Sequence, residues 1–271
     1  MAGGLGRMKR GPIRLLAASL ACLAAVGAGV LVAPAVVAAA DPDALWKIVH
    51  GLCAPHQAIA LDPAPCALVS SGTAHRLGYA LLKDRDGETQ YLLIPTDKVT
   101  GIEDPKLQAP GSETYLATAW AFRSLLFARL GHALPAGDVG LAINSLYGRS
   151  QNQLHIHIDC VRSDVRDALQ RDRAAIGPGL GPLPEPLIGH RYLAMEIAAK
   201  DLETTNLFRR LAGTVPAGSM GRETLVVIGA ILPSGAPGFD VLVDRADAAS
   251  GDMASGEELL DHDCAVKTDH P

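Results

Sequence analysis

Aromatic side chains are scarce in this 271-residue chain: Phe, Trp and Tyr together make up only 4% of it. Any hydrophobic core must therefore be built mainly from Leu, Val, Ala and Ile. A disordered chain is excluded, because 48% of the residues are hydrophobic and only 20% are charged. The length suffices for one large domain or two small ones.

An excess of positive charge is missing outside the first 40 residues. Those 40 hold four basic side chains and no acidic one, and the rest of the chain carries 20 basic and 29 acidic side chains. A domain with this negative balance has no general attraction for nucleic acid. We therefore expect no nucleic-acid partner, although a local cluster of donors can still bind an anionic ligand.

The longest uncharged run lies near the N-terminus, where 26 residues from Leu15 to Ala40 follow a basic start. Two interpretations stay open: a signal peptide cleaved after Ala40, or a signal anchor retained as a transmembrane helix. Length favours the anchor, because a membrane span needs about 20 apolar residues and a signal-peptide core only about 7–15. In both cases residues 41–271 form the exported domain.

No C-x-x-C spacing is present, so the cysteine pattern does not favour zinc. The exported part holds Cys53, Cys66, Cys160 and Cys264, and this even number agrees with disulfides in an oxidising compartment. Cys53 and Cys66 flank a short Pro-rich loop, which predicts one bridge between them and a second between Cys160 and Cys264. Four free buried thiols and a metal site remain the alternatives.

Periodicity and turn residues predict an α+β fold. Asp43 is expected to cap a helix over residues 45–49, and a hairpin over residues 77–94 turns at Asp86-Gly87. A long amphipathic helix is expected from Ser112 to about Leu130. Further expected elements are strands at 139–143, 192–197, 225–231 and 239–243, a helix at 206–211, and a long surface connection at 171–189. The part after about residue 190 is either a degenerate second copy or an added layer on the same sheet.

The most informative segment is Gln151–Cys160, in which His155 and His157 alternate with aliphatic residues. This alternation predicts a half-buried strand that places Gln153, His155, His157 and Asp159 on one face. Imidazole can act as nucleophile, base or metal ligand near neutral pH, so this face is the candidate catalytic site. The spacing of the other seven histidines does not indicate a site: His50, His56, His75, His132, His190, His262 and His270.

The order of hairpin, helix, strand, turn and histidine strand resembles the histidine-triad superfamily, and Leu92–Val99 and Asn144–Val161 carry the likeness. Within that superfamily the chain is similar to the CDP-diacylglycerol pyrophosphatase family, through residues 45–49, 100–105, 151–158 and 261–264. The resemblance implies a histidine-triad-like antiparallel sheet with packed helices.

The implied activity is hydrolysis of CDP-diacylglycerol to CMP and phosphatidate, through a cytidylyl-histidine intermediate, in phospholipid metabolism. The resemblance implies no metal or other cofactor, and it leaves a homodimer open. Together with an anchor at residues 1–40, it implies a single-pass protein of the bacterial inner membrane. The catalytic domain would then lie on the periplasmic side, next to its lipid-linked substrate.

Only two histidines of the family pattern His-φ-His-φ-His-φ-φ are present, so two registers are open. Either Gln153 replaces the first His and His155 is the nucleophile, or Asp159 replaces the last and His157 is. The second register places two apolar residues at the trailing positions, so the sequence favours His157, with His155 orienting it and Asp159 facing the leaving group. Donors expected to bind the phosphates lie on the preceding loop: Asn144, Arg149, Gln151 and Asn152.

Two other functions remain open. The pattern His155-x-His157-x-Asp159 also resembles part of the metallo-β-lactamase-fold signature, in which it would bind zinc and activate water. However, Cys160 stands where the closing His of that signature belongs. The third possibility is a non-enzymatic exported lipid- or nucleotide-binding module, which does not require paired imidazoles.

Overall fold

The computed structural model describes residues 41–73 and 77–268. These described residues belong to one compact unit. The predicted signal peptide or anchor at residues 1–40 lies outside the described residues. Within the described ranges, no helix is both long and apolar enough to cross a bilayer.

The architecture is α+β, as expected, and its centre is an antiparallel sheet. Within the described residues the strands are β1 (Leu68–Ser70), β2 (Tyr79–Lys83), β3 (Tyr91–Pro95), β4 (Val139–Ile143), β5 (Ile156–Val161), β6 (Gly181–Pro182), β7 (Leu193–Ala198), β8 (Glu223–Ile231), β9 (Pro237–Arg245) and β10 (Leu260–Asp261). Their order across the sheet is β1-β2-β3-β5-β4-β8-β9-β7-β6, and β10 pairs with β5. The β2–β3 hairpin is confirmed, and so is the strand at 139–143.

Helices cover both faces of this sheet. They are α1 (Ala44–Ile48), α2 (Ala54–Ala60), α3 (Thr114–Ala121), α4 (Ser124–Leu130), α5 (Ser163–Arg171) and α6 (Leu207–Ala212). A π-helical turn, Val49–Cys53, joins α1 to α2. The expected capping of α1 by the Asp43 side chain is wrong, because that carboxylate instead pairs with Lys98 at 2.7 Å.

The single long helix expected from Ser112 to Leu130 is interrupted between α3 and α4. Phe122 and Arg123 separate the two helices, and Arg123 donates both its backbone N–H and its guanidinium to the carbonyl of Trp120, at 3.3 and 2.8 Å. The guanidinium also stacks over the Trp120 ring. The helix restarts at Ser124.

The second half of the domain continues the first sheet. β8 pairs with β4, and β9 and β7 follow outward. The strands predicted at 192–197, 225–231 and 239–243 are present in the same sheet, which they extend sideways. Helix α5, which was not predicted from the sequence, packs on this part through Val165, Ala168 and Leu169.

Both faces of β5 are covered, and all six of its residues are buried. Ile156 and Ile158 face the main core, which is built chiefly of Leu, Ile and Val and packs against α3. The prediction of a half-buried strand is therefore wrong in one respect, because the polar face of β5 is shielded as well as its apolar face. On that face α1 covers the neighbouring strand β3, burying Leu45 and Val49 against Leu92.

Both predicted disulfides are present: Cys53–Cys66 and Cys160–Cys264. The first closes a separation of 13 residues between the α1–α2 helix and β1. The second spans 104 residues and fastens β5 to the segment after β10. The C-terminal segment is thereby held beside the histidine strand.

Candidate active site

A cavity of about 510 Å³ opens on the polar face of β5, and His155 and His157 line it. In the sheet, His157 lies between Leu92 of β3 and Ala142 of β4. The histidine therefore interrupts an apolar row that continues on both sides. Burying a titratable ring among aliphatic side chains costs free energy, so this placement points to a site for chemistry.

The backbone holds the neutral ring of His155 in one tautomer. Its Nδ1 lies 2.8 Å from the carbonyl oxygen of Gln153, and a carbonyl only accepts, so Nδ1 carries the proton. Nε2 is then the atom with the free lone pair, and it makes no hydrogen bond within the described residues. Burial, with a further contribution from His157, lowers the pKa of His155 to about 4. The ring is therefore neutral at physiological pH.

His157 is held on both sides by side chains. Nδ1 contacts the amide of Gln90 at 2.5 Å, and Nε2 lies 2.8 Å from Oε2 of Glu257. The Glu257 contact is close, yet it lacks the alignment of a hydrogen bond. Burial opposes the ionisation of Glu257, but its contacts with His157 and Asn144 outweigh this and lower its pKa to about 2. A fixed anion beside the ring suits a group that gives and takes a proton.

Asp159 lies on the same face but beneath the cavity. It is fully buried, accepts from Thr89 at 2.6 Å, and contacts Nδ1 of His262 at 2.9 Å. The hydrogen bond to Asp159 raises the pKa of His262, although burial acts in the opposite direction. The structure thus places His262, and not Asp159, at the cavity wall.

The four predicted loop donors divide into two pairs. Asn144 and Gln151 line the cavity: the Asn144 amide donates to Glu257 at 3.0 Å, and Gln151 accepts from the backbone of Leu45. Asn152 is exposed outside the lining, and its backbone N–H donates to Pro42.

Arg149 also lies outside the cavity lining. Its guanidinium forms two bonds of 2.6 and 2.7 Å with Glu103, and the side chain is only 4% exposed. A Cβ at Gly101 would fall 2.0 Å from the guanidinium, so this ion pair needs glycine there. The guanidinium is thus already engaged by a carboxylate, and this organises the loop.

Cationic groups at the cavity come from a different segment than expected. Lys83 and Arg85 line it, together with Asp84 and Asp86 from the same turn. Lys83 donates to the carbonyls of Asp84 and Gly87 at 2.7 and 2.9 Å. Burial lowers the pKa of its ammonium. These cations and His262 can attract a polyanionic ligand.

Three residues of the site were not predicted from the sequence: Gln90, Glu257 and His262. Gln90 precedes an apolar strand, and nothing local distinguishes its amide. Glu257 lies in a polar stretch 100 residues after His157. For His262 a signal existed, because residues 261–264 belong to the segments that resemble the family.

The residues of the zinc-hydrolase alternative do not converge as ligands. Both carboxylate oxygens of Asp159 are taken by Thr89 and His262, and Cys160 is in a disulfide. In the described part of the chain, the ligand atoms of His155, His157 and Asp159 do not come close enough together to hold one metal ion.

Known proteins resemble this chain over most of its length. The family model described as CDP-diacylglycerol pyrophosphatase matches residues 40–268. A CDP-diacylglycerol pyrophosphatase from Yersinia pestis is 42% identical over 228 residues, which cover 83% of this chain and 85% of that protein. A solved DUF4931 family protein from Bacillus cereus aligns with a TM-score of 0.46 at 12% identity, covering 74% of this chain and 96% of its own. From the family match and the Yersinia relative, the chain belongs to the CDP-diacylglycerol pyrophosphatase family and is a hydrolase.

Proposed function

We propose that this protein hydrolyses CDP-diacylglycerol to CMP and phosphatidate with His155 as the nucleophile. The observation that carries the choice of residue is the hydrogen bond from Nδ1 of His155 to the carbonyl of Gln153. It leaves the Nε2 lone pair free, in a neutral ring at the cavity. A neutral imidazole is a competent nucleophile, and a covalent intermediate divides one hard step into two.

The first step forms a bond between Nε2 of His155 and the cytidylyl phosphorus. The bond from that phosphorus to the bridging oxygen breaks, and its electron pair leaves with phosphatidate. His157 gives a proton to the departing oxygen. In the second step water attacks the phosphorus and loses a proton to His157, while the P–N pair returns to His155 and CMP is released.

The surroundings of Gln153 support this register over the one favoured from sequence. The Gln153 amide donates to the carbonyls of Pro95 and Asp97 at 3.0 and 2.9 Å, and its oxygen accepts from the N–H of Val99. The residue is fully buried. Gln153 thus anchors the turn after β3 and fixes the backbone carbonyl that orients His155.

His157 has the complementary arrangement for proton transfer. Both of its nitrogens are contacted by side chains, Gln90 and Glu257, so neither is as free as Nε2 of His155. We infer that Asn144 and Gln151 bind equatorial phosphate oxygens, since both line the cavity. Charge that builds up on those oxygens would be stabilised by donors fixed in advance.

The test compares the full chain with its His155→Ala and His157→Ala variants on CDP-diacylglycerol in mixed micelles. Quenched samples are checked for an added cytidylyl mass, and CMP is quantified. We expect an adduct in the wild type, none in His155→Ala, and slow adduct formation without efficient turnover in His157→Ala. His132→Ala, at a half-buried position after α4, is the matched control.

Other results would assign the roles differently. An adduct that persists in His155→Ala and disappears in His157→Ala would move the nucleophile to His157. Tight binding of CDP-diacylglycerol without any CMP from the wild type would support a binding module instead.

We further propose that the cavity faces the membrane surface. Ile59 in α2 and Leu61 directly after it are 86% and 81% exposed, and Leu52 in the preceding π-helical turn is 43% exposed. The same helical segment begins with α1, whose residues Leu45 and Ile48 line the cavity. Exposed apolar side chains on a segment that also lines a lipid-cleaving cavity match a bilayer interface.

The membrane proposal predicts a difference between vesicles and micelles. For the double variant Ile59→Ser, Leu61→Ser, reconstituted with CDP-diacylglycerol in phosphatidylcholine vesicles, we expect about a tenfold lower rate, because about 1.4 kcal/mol of interfacial burial is lost. The micelle rate should change less than twofold. Ile231→Ser is the control, since this exposed residue lies at the end of β8. Equal rates for the double variant and the control in vesicles would contradict the membrane proposal.

A further inference from the structure

A second cluster of charged side chains lies outside the cavity. His190, Asp244 and Asp252 bring one ligand atom each within 4.8 Å of one another. Atoms at such separations can surround one ion whose bonds are about 2.0–2.4 Å long. The three come from distant parts of the chain: a turn before β7, the strand β9, and the loop after it.

Asp244 gives an independent indication that something is missing from this cluster. The residue is only 5% exposed, and its Oδ2 is buried without a hydrogen-bond partner. A buried carboxylate oxygen without a donor is costly. A bound cation would satisfy this oxygen.

The charged groups of the cluster are mostly carboxylates, which also favours a bound cation. Asp252 and Glu258 both pair with His190, and the guanidinium of Arg245 on β9 is bound to Glu223 at 2.6 Å. Asp244 adds a third carboxylate beside this imidazole.

A carboxylate holds the imidazole through Nδ1, which also lies 3.7 Å from Oδ1 of Asp252. Nδ1 of His190 lies 2.7 Å from Oε1 of Glu258, which also accepts from the hydroxyl of Tyr192 at 2.9 Å. A carboxylate that holds one ring nitrogen is the usual outer contact of a metal-binding histidine. Mixed imidazole and carboxylate ligands suit Mn²⁺ or Zn²⁺ better than Mg²⁺ or Ca²⁺.

We propose that His190, Asp244 and Asp252 bind one divalent cation of the Mn²⁺ or Zn²⁺ class. Its role is structural. The loop from Asp247 to Asp252 is closed by two backbone bonds, and five residues later Glu257 reaches His157 in the cavity. The cation fastens Asp252 to β9 and so holds the segment that positions Glu257.

The test measures metal binding and needs no activity assay. The untagged full chain is stripped with chelator and titrated with MnCl₂ while free Mn²⁺ is followed by electron paramagnetic resonance, and ZnCl₂ is added as competitor. We expect one Mn²⁺ per chain, displaced by Zn²⁺. Asp244→Asn and Asp252→Asn should each weaken binding at least tenfold.

Asp247→Asn is the matched control. It lies in the same loop, but its carboxylate is taken by the N–H of Ala249 and the hydroxyl of Ser250, so its affinity should stay within twofold. Mn²⁺ should raise the thermal unfolding midpoint of the wild type and of Asp247→Asn, and leave that of Asp252→Asn unchanged. Should Asp244→Asn fail to fold, His190→Gln replaces it.

Two results would overturn the proposal. One is a well-folded wild type that binds less than about a fifth of an equivalent of either ion. The other is binding that survives in both aspartate variants. Neither result bears on the cytidylyl adduct of His155, so the cation site and the proposed reaction can fail separately.

Discussion

Lowering the pH protonates His155 and removes its nucleophilic lone pair, so adduct formation depends on the pKa of this ring. Burial is the main reason that the pKa lies at about 4, and the neighbouring His157 adds to it. The two ring centroids are 5.0 Å apart. Because the charged form is disfavoured, the reactive form persists to lower pH than for an exposed histidine.

The size of the effect follows from the two pKa values. With a pKa of about 4, the neutral fraction of His155 is about 0.9 at pH 5 and one half at pH 4. An ordinary imidazole with a pKa of about 6.5 is about 3% neutral at pH 5. Between pH 7 and 5 the adduct therefore forms about 10% more slowly in the first case and about 25-fold more slowly in the second.

The assay is rapid-quench, single-turnover formation of the cytidylyl adduct at saturating CDP-diacylglycerol, from pH 4 to 7.5. Tryptophan fluorescence monitors folding in parallel. We expect a flat profile down to about pH 5 and a tenfold loss per pH unit below 4. His262→Gln should keep this shape, which excludes His262 as the titrating group. A loss centred near pH 6.5 in a folded protein would refute the assignment of His155.

Three further outcomes are expected. Replacing both Cys160 and Cys264 by Ala should lower the unfolding free energy by about 4 kcal/mol in denaturant melts, since their loop of about 100 residues is no longer closed; a loss below 1 kcal/mol would contradict this. Glu257→Gln should lower kcat about 10–100-fold with KM nearly constant, because proton transfer by His157 loses its anion; unchanged kcat would exclude that role. Arg149→Met should cost about 3 kcal/mol of stability by leaving Glu103 unpaired, whereas a loss confined to KM would restore Arg149 as a phosphate ligand.

Much of the local structure was predictable because its signals are short-range. The Asp86-Gly87 turn set the β2–β3 hairpin, and alternation identified the histidine strand. Where a distant group intervenes, the local signals fail. The exposure of β5 differs from the prediction because α1 and the C-terminal segment cover its polar face.

The candidate site was predictable in part for the same reason. His155 and His157 stand two apart in one strand, so their shared face follows from the sequence. Loop donors do not obey such a rule. Arg149 has the chemistry of a phosphate ligand, but it is bound by Glu103, which lies 46 residues earlier. Only the folded chain shows which partner it takes.

By itself, the sequence determined the family, the pair of histidines and the cysteines that form the two disulfides, because these depend on residue identity and on near spacing. The tertiary structure decided the roles within the site. It brought Gln90 to His157 across 67 residues and His262 to Asp159 across 103, and it placed Glu257 2.8 Å from Nε2 of His157. The free nitrogen of His155 depends on a backbone carbonyl, whose direction no side-chain pattern records.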